Sequence, residues 1–258
     1  MSAGAGSDDA ALAHFVEKWL AREPEMRFAE PFFPPAERLH ARAWGALLHE
    51  LREALFELAE PGVARAKTAW WSEELLRLSA GEARHPITLR LPASAPWPTL
   101  ARALLALPND AGRSADTREA LAALRPAAEA AAAVESAIFA AAATDEMPAS
   151  LATHWLLGRV PRGLADDDLA RLPMHLLARH GLTAAELPTE RSRPLLRDWG
   201  AELLAATPAS LPRQAPLFRR ARHRLDRQRL RELARTGVPM PPSPPVALWQ
   251  AWRAARGG

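Results

Sequence analysis

An all-α fold is what this sequence predicts, and three observations predict it. Alanine and leucine dominate the 258 residues, tyrosine is absent and β-branched residues are sparse, so the local preference is helical nearly throughout. Apolar residues recur at three- and four-residue steps, with no alternating pattern to compete. The 24 prolines gather mostly in clusters between those periodic stretches, as punctuation between packed helices. No internal repeat or long flexible linker divides the chain. One domain over residues 1–258 is the expectation, long enough to bury roughly three quarters of its unfolded surface.

The elements follow in order. Residues 1–8 are small and polar and are expected to be disordered, with Asp8 or Asp9 capping a helix that runs to Arg22. Phe15, Trp19 and Leu20 give it an apolar edge. The segment 23–35 holds Pro24, Pro31, Pro34 and Pro35 and reads as an extended connector pinned by Phe28, Phe32 and Phe33. Trp44, Leu47, Leu48, Leu51, Leu55 and Leu58 then wind onto one side of a helix. A second helix opens at Pro61 and stops at Gly81, a residue suited to a left-handed C-terminal position. Its predicted inner face is Val63, Ala66, Trp70, Trp71, Leu75 and Leu78.

The tract PASAPWP breaks the chain before a short helix from Thr99 to Leu107, and 109–114 is a turn. Asp116 caps a long helix from Thr117 to Ala143, whose alanines suit a cavity wall and whose Pro126 predicts a kink. Shorter helices follow over 147–158 and 174–180, the latter closed by Gly181, with a polar excursion over 160–168 between them. Residues 191–206 bury Leu195, Leu196, Trp199, Leu203 and Leu204, residues 215–235 form an arginine-dense helix, and a last helix carries Leu248, Trp249 and Trp252.

Composition excludes several functions. Without cysteine there is neither a disulfide framework nor a thiolate metal site. The pI near 10.3 accompanies a net charge of only +3, because a chain with no Cys or Tyr and two lysines, Lys18 and Lys67, has almost nothing to deprotonate below the arginine range. It is no argument for nucleic acid, and no nucleic-acid partner is expected. No apolar run of about 18 residues spans a membrane, and the N-terminal stretch lacks the basic start and apolar core of a signal peptide. A cytoplasmic protein is the expectation, with contact at the inner face of the membrane as its peripheral variant.

Trp70, Trp71, Ser72, Glu73, Glu74 and Leu75, the gap to Gly81, and His85, Pro86 and Ile87 resemble the signature of the squalene/phytoene synthase family, in which a W(W/R)xEL helix precedes a glycine and HPV. Ala170 to Pro173 and the glycine-ended helix Leu176 to Leu182 are similar to a later segment of that family. The resemblance implies an isoprenoid (terpenoid) synthase-type helical bundle around a central cavity, in which two aspartate-rich motifs hold Mg²⁺ against prenyl diphosphates. Laid on the first motif, AFxRxxDDxxD, residues 46–56 put His49 at the arginine and Arg52, Glu53 and Phe56 at the three aspartates. Mg²⁺ wants carboxylate oxygens, and only Glu53 supplies one. The second motif should fall within 154–168, where Asp166, Asp167 and Asp168 are the candidates for its terminal aspartate.

Two readings follow from the resemblance. In the first, the protein is catalytically degenerate, without a cofactor, and binds an isoprenoid or prenyl diphosphate or serves as a scaffold for a protein partner. In the second it is an active Mg²⁺-dependent head-to-head prenyl transferase, with Glu53 and Asp166 to Asp168 as remaining ligands. Phe56, beside the acidic edge, is expected to narrow or dry the cavity that His49, Arg52, Trp70, Trp71 and His85 border. His85 itself reads as a turn residue with a structural hydrogen bond. Glu50, Glu53 and Glu57 form an acidic edge whose ordinary reading is a solvated face; Glu53 and Glu57, four apart, are neighbours that could hold one cation. Arg219, Arg220, Arg222, Arg224, Arg227, Arg229 and Arg231 likewise read as a solvated face, or functionally as a site for anionic lipid headgroups or a prenyl diphosphate. His154, His175 and His180 have no metal-ligand spacing.

Overall fold

The computed structural model describes residues 3–107, 112–160, 171–187 and 189–257, with side chains from residue 10 onward. Among them are ten α-helices and no strand: α1 (Ala3–Arg22), α2 (Arg38–Arg52), α3 (Pro61–Ser79), α4 (Trp97–Leu105), α5 (Thr117–Ile138), α6 (Met147–Arg159), α7 (Met174–His180), α8 (Arg193–Ala206), α9 (Leu217–Thr236) and α10 (Pro244–Arg256). None of the described helices is long and apolar enough to cross a membrane. Asp166, Asp167 and Asp168, and most of the 109–114 turn, lie outside the described residues.

Neighbours pack pairwise, α3 on α4, α5 on α6, α8 on α9 and α9 on α10, with α6 also against α9. Trp44, Trp71, Trp97, Trp155 and Trp199 are fully buried along one continuous core. Asp116 caps α5 by accepting from the Glu119 N–H at 2.8 Å, as its position predicts. Gly81, Gly181 and Gly237 follow their helices with φ of 77°, 58° and 72°, the left-handed conformation that ends a helix without penalty when no Cβ is present.

Four local expectations are corrected. α1 begins at Ala3, ahead of the Asp8 or Asp9 cap, so the described part of 1–8 continues the helix; no proline stands there to stop it. Residues 24–37 form three short 3₁₀ turns, 24–28, 30–32 and 35–37, where an extended connector was expected. Proline opens each turn at its first or second position, where its missing N–H costs nothing. α5 is not split at Pro126 but runs unbroken from Thr117 to Ile138, with Pro126 on its exposed side. α3 is rotated: Val63, Ala66 and Trp70 are exposed, and Ala64, Thr68, Trp71, Ser72, Leu75 and Leu78 are buried. The two hydroxyls tolerate burial because each donates to a carbonyl four residues back, Ala64 and Thr68, at 2.8 and 2.9 Å.

Candidate functional site

The tryptophan-rich signature is an anchor for a turn. Glu74, fully buried, accepts from the backbone N–H groups of Arg84 and His85 at 2.8 and 2.9 Å and from the Thr88 hydroxyl at 2.5 Å. Burial alone would raise its carboxyl, but those donors outweigh it and hold the group below its ordinary range. His85 accepts at Nδ1 from the Ile87 N–H, the structural hydrogen bond expected of it. Its ring lies edge-on to Trp71 and Trp70, with centroids 4.9 and 5.6 Å away, and 4.6 Å from Phe15. Trp71 is core, whereas Trp70 covers the turn from outside.

α2 does not end at Arg52 but widens into a single π turn, Glu53–Glu57, before Pro61 starts α3. This turn carries two of the three residues that stand at the aspartates of the resembled motif, Glu53 and Phe56, and Arg52 is the last residue of α2 before it. α6 faces it: Trp155 lies 6.3 Å from Phe56, ring to ring, and a Cβ on Gly158 would come within 2.7 Å of Arg52 Nη1. The Arg159 guanidinium caps the Phe56 ring at 4.9 Å, and burial, with Arg171 and Arg113 nearby, pulls it down to about 9. Phe56 is half-buried against the core rather than in bulk solvent. Beside it, a pocket bordered by Leu55, Leu124, Leu156 and Arg171 measures about 60 Å³.

Arg52 is the hub. It donates from Nη1 to Glu23 at 2.8 Å, from Nε to Glu57 at 2.9 Å and from Nη2 to His49 Nδ1 at 3.1 Å. Glu23 also accepts from Trp19 Nε1 and Arg222 Nη1, at 2.9 and 3.0 Å. Arg222 continues to Glu25 and Asp226 at 2.7 and 2.8 Å, and Arg229 reaches Glu25 at 3.4 Å. His154 sits between two acids, with Nε2 3.4 Å from Glu23 and Nδ1 3.1 Å from Asp226. All of these residues are buried. Burial opposes ionisation of Glu23 and Asp226, yet the adjacent His154 and Arg222 win and hold both carboxyls well below their usual range. A second knot lies deeper, where Arg219 of α9 grips Glu135 of α5 at 2.6 Å and Trp44 donates to the same carboxylate at 2.6 Å.

The acidic edge of α2 is not solvated. Glu50 and Glu57 are buried, and Glu53 is only partly exposed. The cations held there belong to the protein, and they include the chain's two lysines. Lys18 from α1 reaches Glu50 and Glu53 at 2.7 and 2.6 Å, and Lys67 from α3 reaches them at 3.2 and 2.8 Å. Burial would raise Glu53, but both ammoniums bring it down to about 2. Glu57, expected to share a cation with Glu53, turns away to Arg52 and Arg22. His49 Nε2 is buried without a hydrogen-bond partner, 3.9 Å from Glu53, and burial followed by Arg52's charge lowers the imidazole to about 4. The arginine helix is corrected in the same way, because Arg219, Arg222 and Arg229 point into the core.

Ligand atoms of His49, Glu50 and Glu53 lie within 4.8 Å of one another, the arrangement closest to a metal cage among the described residues. It does not suit Mg²⁺: both carboxylates are already neutralised by lysines, and the neighbouring motif positions hold a guanidinium and a phenyl ring. Larger apolar room lies elsewhere. Leu121, Ala122, Pro148, Ala149, Ala152 and Ala205 of α5, α6 and α8 line a groove of about 550 Å³, with Arg118, Arg125, Glu129, Asp145 and Glu202 also bordering it. α5 borders this groove through Leu121 and Ala122, whereas its alanines from Ala127 to Ala132 are mostly buried in the core.

No protein-family model matches the chain, and no curated protein sequence matches it. Solved structures do. A crystal structure of a dehydrosqualene synthase in complex with ligand aligns over 97% of this chain and 96% of its own, with a TM-score of 0.60 at 9% identity. The crystal structure of squalene synthase HpnC from Alicyclobacillus acidocaldarius aligns over 95% of this chain and 90% of its own, with a TM-score of 0.50 at 18% identity. Over nearly its whole length, the fold of this chain is that of the squalene/phytoene synthases.

Proposed function

We propose that this protein keeps the synthase shell without metal-dependent prenyl transfer, and binds an isoprenoid lipid or serves as a scaffold, in peripheral contact with a membrane. The observation that carries the reading is the saturation of Arg52 by Glu23, Glu57 and His49, in the place where the resembled motif has its first aspartate. Cleaving a prenyl diphosphate needs metal charge on the leaving group, and metal needs carboxylates with free lone pairs. Here a buried cation occupies that place, and about 60 Å³ beside Phe56 is far below the several hundred Å³ of a usual ligand pocket. The groove between α5, α6 and α8 has the volume for a prenyl chain.

The test is direct. Purified protein incubated with farnesyl or geranylgeranyl diphosphate and Mg²⁺ should give no hydrocarbon, while a prenyl ligand should raise the melting temperature equally with and without Mg²⁺. Absence of any shift, with a stable partner recovered by pull-down, selects the scaffold form. The convergence of His49, Glu50 and Glu53 favours the second reading, an active prenyl transferase, if Lys18 and Lys67 can be displaced. A hydrocarbon product that disappears on chelation would establish that reading and end the first.

A further inference from the structure

α10 is built inside out. It lies against α9 and the 24–28 turn through Ala247, Ala251 and Ala254, all buried, while its bulky residues face away from the protein. Leu248, Trp249 and Trp252 are 48%, 55% and 37% exposed, and Met240, just ahead of the helix, is 55% exposed. Single exposed apolar residues are ordinary; two tryptophans and a leucine on one helix face are not. The tryptophan rings stack on each other, centroids 4.8 Å apart and 19° from parallel, and the Arg256 guanidinium lies 5.2 Å from the Trp252 ring.

The ionisable groups that α10 itself carries have one sign. α10 contains no acidic residue, and its ionisable groups are Arg253 and Arg256. Arg224 of α9 is lowered by burial and then by its neighbours Arg253, Arg220 and Arg231. Among the described residues, Arg224, Arg231 and Arg253 have no carboxylate within salt-bridge distance. An apolar ridge rimmed by unpaired guanidiniums calls for a partner that is apolar beneath and anionic at its surface. A second copy meeting this face through a two-fold axis would set arginine against arginine.

We propose that the outer face of α10 docks on an anionic lipid bilayer. Leu248, Trp249 and Trp252 enter the boundary between headgroups and acyl chains, where tryptophan is favoured. Arg253, Arg224 and Arg231 meet lipid phosphates. The inference deepens the membrane contact in the reading above by naming its surface, and it is tested apart from ligand binding, which is measured without vesicles.

The experiment is co-sedimentation of the full chain with vesicles of phosphatidylcholine alone or mixed with phosphatidylglycerol, at low and high salt. Binding should require the anionic lipid and weaken with salt. Arg253→Gln should reduce partitioning about fivefold, the equivalent of ~1 kcal/mol per basic residue, and Trp249→Ser with Trp252→Ser should reduce it by about tenfold or more. Both variants should keep the wild-type melting temperature within a few degrees, since the altered side chains are exposed. Equal partitioning of wild type and the tryptophan variant, or no binding by wild type, overturns the proposal. So does a wild-type dimer in sedimentation velocity that the tryptophan variant loses. A prenyl-induced thermal shift that survives in the tryptophan variant separates this surface from the ligand site.

Discussion

Arg52 has a partner on each of its three nitrogens, so its removal takes one charge partner from each of two buried acids, Glu23, which keeps Arg222, and Glu57, which keeps Arg22. Arg52→Met should cost about 3–5 kcal/mol in denaturant unfolding, because breaking a buried charge network by removing one member is strongly destabilising. Gly158→Ala, whose Cβ would press on Arg52 Nη1, should be destabilising in wild type and nearly neutral beside Arg52→Met, a coupling of about 0.5–3 kcal/mol in a double-mutant cycle. Acid should act in two stages. His49 and His223, both lowered to about 4, stay neutral in the fold but bind protons near pH 6.5 when unfolded. Their contribution is complete above pH 6.5 and is lost as pH falls towards 4; Glu53, held near 2, then loses its own between about 4.3 and 2. His49→Gln with His223→Gln should flatten the first stage of a melting-temperature profile and leave the second. Arg52 and Glu53 were readable as departures from a motif, but their partners were not. Glu23 and Arg222 are 199 residues apart, and only the narrow apolar strip of α9, too small to cover a 20-residue helix, hints that some arginines must turn inward.

Among the elements, α3 shows what periodicity can and cannot tell. Its start at Pro61 and its end before Gly81 were legible from residue types, yet its inner face was misplaced because Thr68 and Ser72 count as polar until their hydroxyls find backbone carbonyls. Glu74→Ala should lower stability by about 1–3 kcal/mol, the cost of leaving buried donors unmet. Faster amide exchange confined at first to Arg84 and His85 would identify the turn as the part released. Glu73→Ala, one residue away and exposed, should do neither. α8 and α9 meet at Gly200, where a Cβ would lie 2.7 Å from the Ala234 backbone nitrogen. Gly200→Ala should therefore force the pair apart and cost about 1–3 kcal/mol in thermal or urea unfolding.

For the whole molecule, helical content and the order of elements came through from composition, spacing and one resembled motif, whereas the state of the interior did not. That state depends on which acids meet which bases across the chain. The interior holds Glu23, Glu25, Glu57 and Asp226 against Arg52, Arg222, Arg229 and the partly buried Arg22, so its acids are matched without a bound ion. Millimolar Mg²⁺ should leave the melting temperature unchanged; a rise of several degrees would mean that carboxylates are available after all. Interlocking of this kind also constrains inheritance. A change at 52 takes a partner from 23 and 57, a change at 222 takes one from 23, 25 and 226, and each leaves buried charge undercompensated at a cost of several kcal/mol. Replacements should therefore appear in descendants of this sequence as matched pairs or not at all, and positions 23, 52, 154, 222 and 226 should covary as one group.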